Sequence, residues 1–259
     1  MQITKNLKLI LNVFLIAGFV SNVSLAGTEA VGEDGTAYYF LNQDPSYFYV
    51  TPKFGWGITN SGDWTDQTGF TRAYGPLTQP GKNENSYIAG IAAGYKFTGF
   101  PFRVDVNYFF INDRSYAFSP IYRNYPQNSV GTADVDSQVF LLNFYYDWYT
   151  SKPVTPYLGL GVGEYFNKTD FSSNDPANPA GANAQSNRTN GIAWDIVLGL
   201  RYDINLNWAL SLEGNFIALN KATANETINS TSGLTIIPFA STDDLKTFNV
   251  LLGLTYKLN

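Results

Sequence analysis

The stretch from Val139 to Phe166 alternates in hydrophobicity residue by residue, in two runs joined by a short polar turn. In the first run, one face carries the bulky side chains Phe140, Leu142, Phe144, Tyr146 and Trp148. In the second, the bulky face carries Leu158, Leu160, Val162 and Phe166, and the other has three glycines between two tyrosines. Because successive side chains of a strand point to opposite faces, this period of two predicts two adjacent β-strands.

The same alternation recurs along the chain after residue 45 and predicts eight strands in all. Short turns join strands two and three, four and five, and six and seven, whereas long polar segments join the others. These four predicted loops are Thr59–Asn85, Asp113–Asp136, Asn167–Asn190 and Asn220–Asp244. Short turns at one rim and long loops at the other are typical of barrels that cross a membrane. The sequence therefore predicts an all-β fold, an eight-stranded antiparallel up-and-down transmembrane β-barrel.

The apolar face of the strands carries its aromatic residues in two groups. Toward the long loops lie Trp56, Tyr87, Phe110, Phe140, Phe166, Trp194, Phe216 and Phe248. Toward the short turns lie Phe48, Phe97, Phe102, Trp148, Tyr202, Trp208 and Tyr256. Two aromatic belts around an aliphatic band match the two interfaces of a bilayer. The alternative, a soluble barrel around an apolar cavity, explains the alternation but not the two belts.

Composition and the first residues agree with a membrane-spanning barrel. The chain of 259 residues is only 14% charged, against about 25% in ordinary soluble domains. After the first thirty residues no apolar run reaches the roughly 18 residues of a membrane helix, so later spans must be strands. Lys5 and Lys8 precede an apolar core over 9–20, and Ala26 ends a cleavage site, as in a secretory signal. The predicted parts are a signal peptide at 1–26, an N-terminal segment at 27–45 and a barrel domain at 46–259.

The face opposite the apolar one then points into the barrel and holds charges of both signs. Its charged residues are Lys53, Lys96, Arg103, Asp105, Asp147, Asp195, Arg201 and Glu213. Four cations balance four carboxylates, and buried charges are tolerated when they are paired. The interior of an eight-stranded barrel is just wide enough for side chains to fill. We therefore predict a structural charge network, with an ion path through the lumen as the alternative.

The residue types of the chain exclude several kinds of chemistry. The sequence contains no Cys and no His, which removes disulfides, thiol nucleophiles and zinc–thiolate sites. With a net charge of -5, the chain has no electrostatic basis for binding nucleic acid. Paired carboxylates such as Glu213 with Asp195 could serve as acid and base, but pairing in the lumen is the favoured interpretation. No catalytic residue, metal ligand or cofactor is predicted.

The second long loop is the most distinctive segment that we expect to reach solvent. It interleaves cations with aromatic residues: Arg114, Tyr116, Phe118, Tyr122, Arg123 and Tyr125. These residue types are common at recognition surfaces, so they form the predicted contact patch for a partner. The alternative is that the same aromatic side chains pack the loop or rest on lipid headgroups.

Two outward-facing positions conflict with a regular lipid-facing strand. Pro52 cannot donate a ladder hydrogen bond, which predicts a β-bulge at that point. Glu164 places a carboxylate on the outward face, which predicts either a bulge near the upper rim or a strand that continues above the membrane.

Three segments carry a family resemblance: the hairpin at 87–110, the glycine-rich strand at 156–166 and the hairpin at 199–216. On these segments the mature chain resembles the opacity-protein and OmpA-type eight-stranded outer-membrane barrels of Gram-negative bacteria. The resemblance implies an outer-membrane monomer whose surface-exposed loops serve adhesion, contact with a host or the environment, or envelope integrity. Its implied partners are outer-membrane lipid and a surface ligand of the loops, and a narrow porin-like channel for small solutes is the alternative function. The enzymes among small outer-membrane barrels, as those families are known, rely on a catalytic histidine, and this sequence has none. We therefore predict no enzymatic activity, with a histidine-independent enzyme acting on lipid as a third alternative.

Overall fold

The structure is a computed structural model that describes residues 30–31, 37–38, 46–66, 77–78, 83–120, 130–148, 154–174, 182–230 and 233–258. Eight long antiparallel strands follow one another around a closed barrel. They are β1 Tyr47–Asn60, β2 Asn83–Lys96, β3 Phe102–Pro120, β4 Val130–Asp147, β5 Val154–Asn174, β6 Ala182–Asp203, β7 Trp208–Ser230 and β8 Gly233–Leu258. Pairing of β8 with β1 closes the barrel, in a register that includes Val250 opposite Trp56. No helix in the described part of the chain is long and apolar enough to cross a membrane.

Four short strands lie outside the barrel wall or at its mouth. Ala30–Val31 pairs with Ala37–Tyr38, and these residues fall within the predicted N-terminal segment. Thr65–Asp66 pairs with β8, and Leu77–Thr78 pairs with the end of β3. The predicted signal peptide lies outside the described residues.

Side chains alternate between the lumen and the outside along every strand, as a period of two requires. The outward face is apolar and exposed, with relative exposures of 63% for Phe54, 61% for Phe144 and 63% for Leu198. A protein in water buries such side chains, whereas a barrel in a bilayer turns them to lipid. Aromatic pairs occur at both ends of the wall, among them Trp194 with Phe216 and Trp208 with Tyr256.

The strands are much longer than the alternation alone predicts on one side of the barrel. β1 and β2 each have 14 residues, whereas β7 has 23 and β8 has 26. Most of the segments predicted as the loops Asp113–Asp136, Asn167–Asn190 and Asn220–Asp244 are therefore strand. The prediction of loops was wrong there because many inward residues of these extensions are small or polar, among them Asn167, Thr169 and Ala222, although all three are buried. Such residues pair as strands without the apolar alternation by which a strand is predicted.

The predicted bulge at Pro52 is wrong. The register with β2 runs without interruption through Pro52 opposite Ile91, and the register with β8 is the same on either side of it. The pairs that are missing lie on the β8 side, between Lys53 and Val50. Proline has no backbone N–H to donate to β8. The ladder between β1 and β8 therefore has a gap at Pro52, although neither strand contains the extra residue of a bulge there.

Glu164 lies in an unbroken register with both neighbouring strands, opposite Phe140 and Ile192. The first alternative, a bulge, is therefore wrong. The strand continues for ten residues beyond it to Asn174, which agrees with the second alternative.

Register shifts at two places, one in β3 and one in β7, change which side chains face inward near the mouth. In β3 the shift between Ile111 and Arg114 moves the inward face from odd-numbered to even-numbered residues. In β7 the shifts on either side of Asn220, which has a left-handed φ of 55°, have the same effect. Extra residues at bulges re-aim the side chains that follow them.

Candidate functional site: the barrel interior

The lower half of the lumen, near the short turns, is organised around the carboxylate of Asp147, which is fully buried. Arg103 donates from Nε to both carboxylate oxygens at 3.0 Å, and Arg201 donates from Nη1 at 3.1 Å. Lys96 Nζ lies 3.8 Å from the same group. One carboxylate on β4 thus binds cations from three other strands.

Aromatic rings surround the guanidinium group of Arg103. Its Cζ lies 4.6 Å from the ring centre of Tyr145, 4.8 Å from that of Tyr157 and 5.7 Å from that of Tyr49. Cation–π contacts of this kind stabilise a cation that has left water. Arg103 is therefore held by rings as well as by Asp147.

A second group of contacts lies beside the first. Lys53 and Glu213 form an ion pair at 2.9 Å, and Tyr157 Oη donates to the same carboxylate at 2.8 Å. Asp105 accepts a hydrogen bond of 2.9 Å from Tyr49 Oη and one from Asn107.

Asp195 has no ion pair in the described residues and is bound by two amides instead. Asn143 Nδ2 donates at 2.7 Å and Asn215 Nδ2 at 2.9 Å. The bond from Asn143 crosses the intervening strand at Gly161, where an added Cβ would collide with both partners. The glycine is therefore required for this bond.

The structure places all eight charged residues predicted for the interior in the lumen, and all are buried. It does not pair them one to one, because Asp147 has three cations while Asp105 and Asp195 are bound by neutral groups. Sequence reasoning missed those neutral partners: Tyr49, Asn107, Asn143, Tyr157 and Asn215. It also missed the pair of Lys257 Nζ with Asp203 at 2.8 Å. The signal that could have found them is the alternation itself, which puts Tyr49, Asn107 and Asn143 in the inward phase.

Little space remains in this network. Among the described residues, a cavity of ≈ 10 Å³ lies between Tyr49, Lys53, Arg103, Asp105 and Glu213. That is about the volume that a single water molecule needs. Lower in the barrel, side chains therefore fill the lumen.

The upper half of the lumen, toward the long strands, is closed by packed apolar side chains. We call this set the upper cluster; its inward members include Ile88, Phe109, Ile111, Val139, Leu141, Ile217 and Leu251. Nearer the mouth, the cluster continues with Trp64, Tyr116, Phe171, Leu219 and Leu245. Their burial follows from the same inward phase, which at this level carries these apolar side chains together with buried polar ones such as Ser137, Asn167 and Thr247, and charged ones below.

The mouth is covered by the outer parts of β7 and β8, residues 219–230 and 233–245, which we call the ribbon. In the described part, β7 pairs with β6 only up to Ala218 opposite Trp194. Beyond that point the N–H of Lys221 donates to Tyr165 Oη at 3.0 Å, and Asn167 donates to the carbonyl of Lys221 at 2.8 Å. Because Tyr165 and Asn167 both face inward from β5, the ribbon leans over the lumen.

Two of the six residues of the predicted contact patch are buried in the structure. Arg114 and Tyr116 are 1% and 0% exposed, so their inclusion in a surface patch was wrong. The register shift in β3 turns both side chains into the barrel mouth, where Tyr116 packs against Trp64 with ring centres 6.0 Å apart. The side chain of Phe118 and the whole of Tyr122, Arg123 and Tyr125 lie outside the described residues.

The chain is similar to several solved outer-membrane proteins. The chain aligns with a major outer membrane protein from Thermus thermophilus at a TM-score of 0.50 and 13% identity, covering 82% of this chain and 99% of that one. OprG from Pseudomonas aeruginosa aligns at 0.47 and 16% identity, covering 85% and 99%. Neisserial surface protein A aligns at 0.43 and 13% identity, covering 83% and 100%.

A comparison with curated proteins found no match. The family model described as "Outer membrane protein beta-barrel domain" matches residues 24–257, which is nearly the whole chain and includes all eight strands of the barrel. The chain therefore belongs to the family of outer-membrane β-barrel proteins.

Proposed function

We propose that the protein is a non-enzymatic surface protein, in which a closed barrel anchors long strand extensions that make contacts outside the cell or support the envelope. The protein lies in the outer membrane. The observation that carries the proposal is the filled lumen: the lower half holds a network with a cavity of only ≈ 10 Å³, and the upper half holds the upper cluster. A barrel that is filled at both levels functions through its outer surfaces.

The extensions provide the contact surface. β7 and β8 continue as a paired ribbon up to Ser230 opposite Gly233, and β4 pairs with β5 up to Val130 opposite Asn174. Paired strands hold their side chains in fixed positions, so a partner meets a preformed surface rather than a flexible loop.

The test removes the ribbon and leaves the barrel. Ala222 and Thr242 are opposite each other, so an Asn-Gly turn can replace residues 223–241 without changing the register. We expect the shortened protein to remain heat-modifiable in the outer membrane, while cells that make it lose adherence to epithelial monolayers and glass relative to cells with the full chain. Unchanged adherence and an unchanged envelope, judged by detergent and bile-salt sensitivity, would contradict the proposal.

A second measurement addresses the alternative of a narrow channel. The full chain in a planar lipid bilayer is expected to give no discrete conductance steps, because the network and the upper cluster both block the axis. Steps that persist after removal of the ribbon would instead support passage of small solutes.

A further inference from the structure

Among the described residues, Arg114 is the buried charged side chain that lies outside the lower network. It lies in the upper half of the lumen at 1% exposure, beside Tyr116 and Val135 of the upper cluster. Its Nε donates to the carbonyl of Val135 at 3.0 Å, and its Nη2 donates to Ser137. Its Nη1 is buried and has no hydrogen-bond partner.

The charges of the lower network balance without Arg114. The described cations there are Lys53, Lys96, Arg103, Arg201 and Lys257, and the described carboxylates are Asp105, Asp147, Asp195, Asp203 and Glu213. Five of each sign leave that half of the lumen neutral. Arg114 forms no ion pair with any described residue, and Asp136, whose charge acts on it through space, lies on the outward face of β4. A buried cation without a counterion is costly.

Two further polar atoms in the same sector have no partner. They are Tyr116 Oη and Thr169 Oγ1, and both residues are 0% exposed. The registers place Arg114, Val135 and Thr169 in one row across β3, β4 and β5, and Tyr116 lies in the next inward row. Three buried groups that can each donate a hydrogen bond thus lie in one sector of the barrel mouth.

We propose that this sector binds a small monovalent anion, a halide or a small carboxylate such as formate. Arg114 Nη1 supplies the counter-charge, and the hydroxyl groups of Tyr116 and Thr169 supply neutral donors. Charge-assisted bonds to a guanidinium are among the stronger hydrogen bonds in proteins. A metal cation does not fit beside an unpaired guanidinium, and a water molecule would leave its charge uncompensated.

The surroundings set the size of the anion. Trp64 packs on Tyr116 from above, and the ribbon lies across the mouth through its contacts with Tyr165 and Asn167. With the mouth covered in this way, the proposed ligand is a small ion rather than a polyanion or a bulky carboxylate.

The experiment measures urea unfolding of the full chain in detergent at constant ionic strength, with sodium bromide or sodium formate exchanged for sodium gluconate. A ligand that binds only the folded state raises the folded-to-unfolded ratio by 1 + [L]/Kd, about 100-fold at 100 times Kd. We expect this gain with bromide or formate in the wild type and its loss in Arg114→Met. In gluconate alone, Arg114→Met is expected to be at least as stable as the wild type, because a buried charge has been removed.

Arg188→Met is the matched control, because Arg188 is an exposed arginine on β6; it is expected to keep the full gain. If Arg114→Met does not fold, Tyr116→Phe and Thr169→Val keep the charge and each remove one donor, and each is expected to reduce the gain. Crystals of the wild type grown in bromide should show an anomalous peak at ion-pair distance from Arg114 Nη1.

Two results would overturn the proposal. Equal gains in the wild type and in Arg114→Met, or in the wild type and both hydroxyl variants, would mean that the anions act elsewhere. No gain in the wild type, with no anomalous peak beside Arg114, would mean that the sector holds only water.

Discussion

The two halves of the lumen are closed by different means. The lower half contains ion pairs and hydrogen bonds around Asp147 and Glu213, whereas the upper half contains packed apolar side chains with Arg114 among them. The same alternation of side chains produces both, because it fixes only which residues face inward. The chemistry of the inward residues then decides whether a level of the barrel is held by charge or by packing.

This difference has energetic consequences. A buried charge network depends on each partner, since the removal of one leaves others desolvated and uncompensated. A packed cluster loses stability in proportion to the volume removed. We therefore expect the free energy of unfolding to respond differently to substitutions in the two halves: to the loss of a charged partner in the lower half, and to the volume removed in the upper half.

The largest effect is expected for Asp147→Asn. The substitution keeps the size of the side chain but leaves Arg103, Arg201 and Lys96 without their shared carboxylate. We expect a loss of about 3–5 kcal/mol in the free energy of unfolding, measured by urea unfolding in detergent and by the temperature of the gel shift. A loss below about 1 kcal/mol would mean that the three cations find other partners or water.

Next comes Leu141→Ala in the upper cluster, where Leu141 is 0% exposed. Removing a buried leucine side chain leaves a cavity and should cost about 2–5 kcal/mol. Leu141→Met, which conserves volume, is the control and should cost less than about 1.5 kcal/mol. Equal effects of the two substitutions would show that packing does not hold the upper half.

Gly161→Val is expected to have an intermediate effect. The added side chain blocks the hydrogen bond from Asn143 to Asp195 and leaves a buried carboxylate poorly bound, which should cost about 1–3 kcal/mol. The control is Gly214→Ala, where an added Cβ would have its nearest neighbour at 3.7 Å; it should be neutral or slightly stabilising. Loss of stability in both variants to the same extent would mean that the backbone, and not the crossing bond, is responsible.

The smallest effect is expected outside the lumen, for Asp170→Asn. Asp170 and Lys168 form an ion pair at 2.5 Å with side chains that are 38% and 46% exposed. Exposed pairs contribute about 0.2–1 kcal/mol, so the unfolding midpoint should hardly move and the change should disappear in high salt. A loss as large as that of Asp147→Asn would remove the distinction between buried and exposed pairs.

Alternation was sufficient to predict the barrel, the outward apolar face and the inward position of all eight charged residues. It could not predict their partners, because pairing depends on which strands face each other across the lumen. Asp105 and Asp195 illustrate the point: the groups that bind them are Tyr49, Asn143 and Asn215 on other strands.

Near the mouth the same reasoning failed for Arg114 and Tyr116. A single register shift in β3 reverses the phase of every residue after it, and no residue type in that stretch marks the shift. The polar segments after Asn167 and Asn220 were predicted as loops for a related reason: buried inward positions such as Thr169 and Ala222 carry polar or small side chains, so the strand shows little apolar alternation in the sequence.

The pair of Lys53 with Glu213 also constrains the order of assembly. These residues are 160 positions apart in the chain and lie on β1 and β7, on either side of β8. The hydrogen bond between the hydroxyl groups of Thr51 and Thr255 spans 204 positions and crosses the same junction. Neither contact can form in an open sheet, so both are late events, and loop-closure entropy opposes them until β8 meets β1. Until then Lys53 and Glu213 lie on strands near opposite edges of the open sheet, and closure is the step that pairs them.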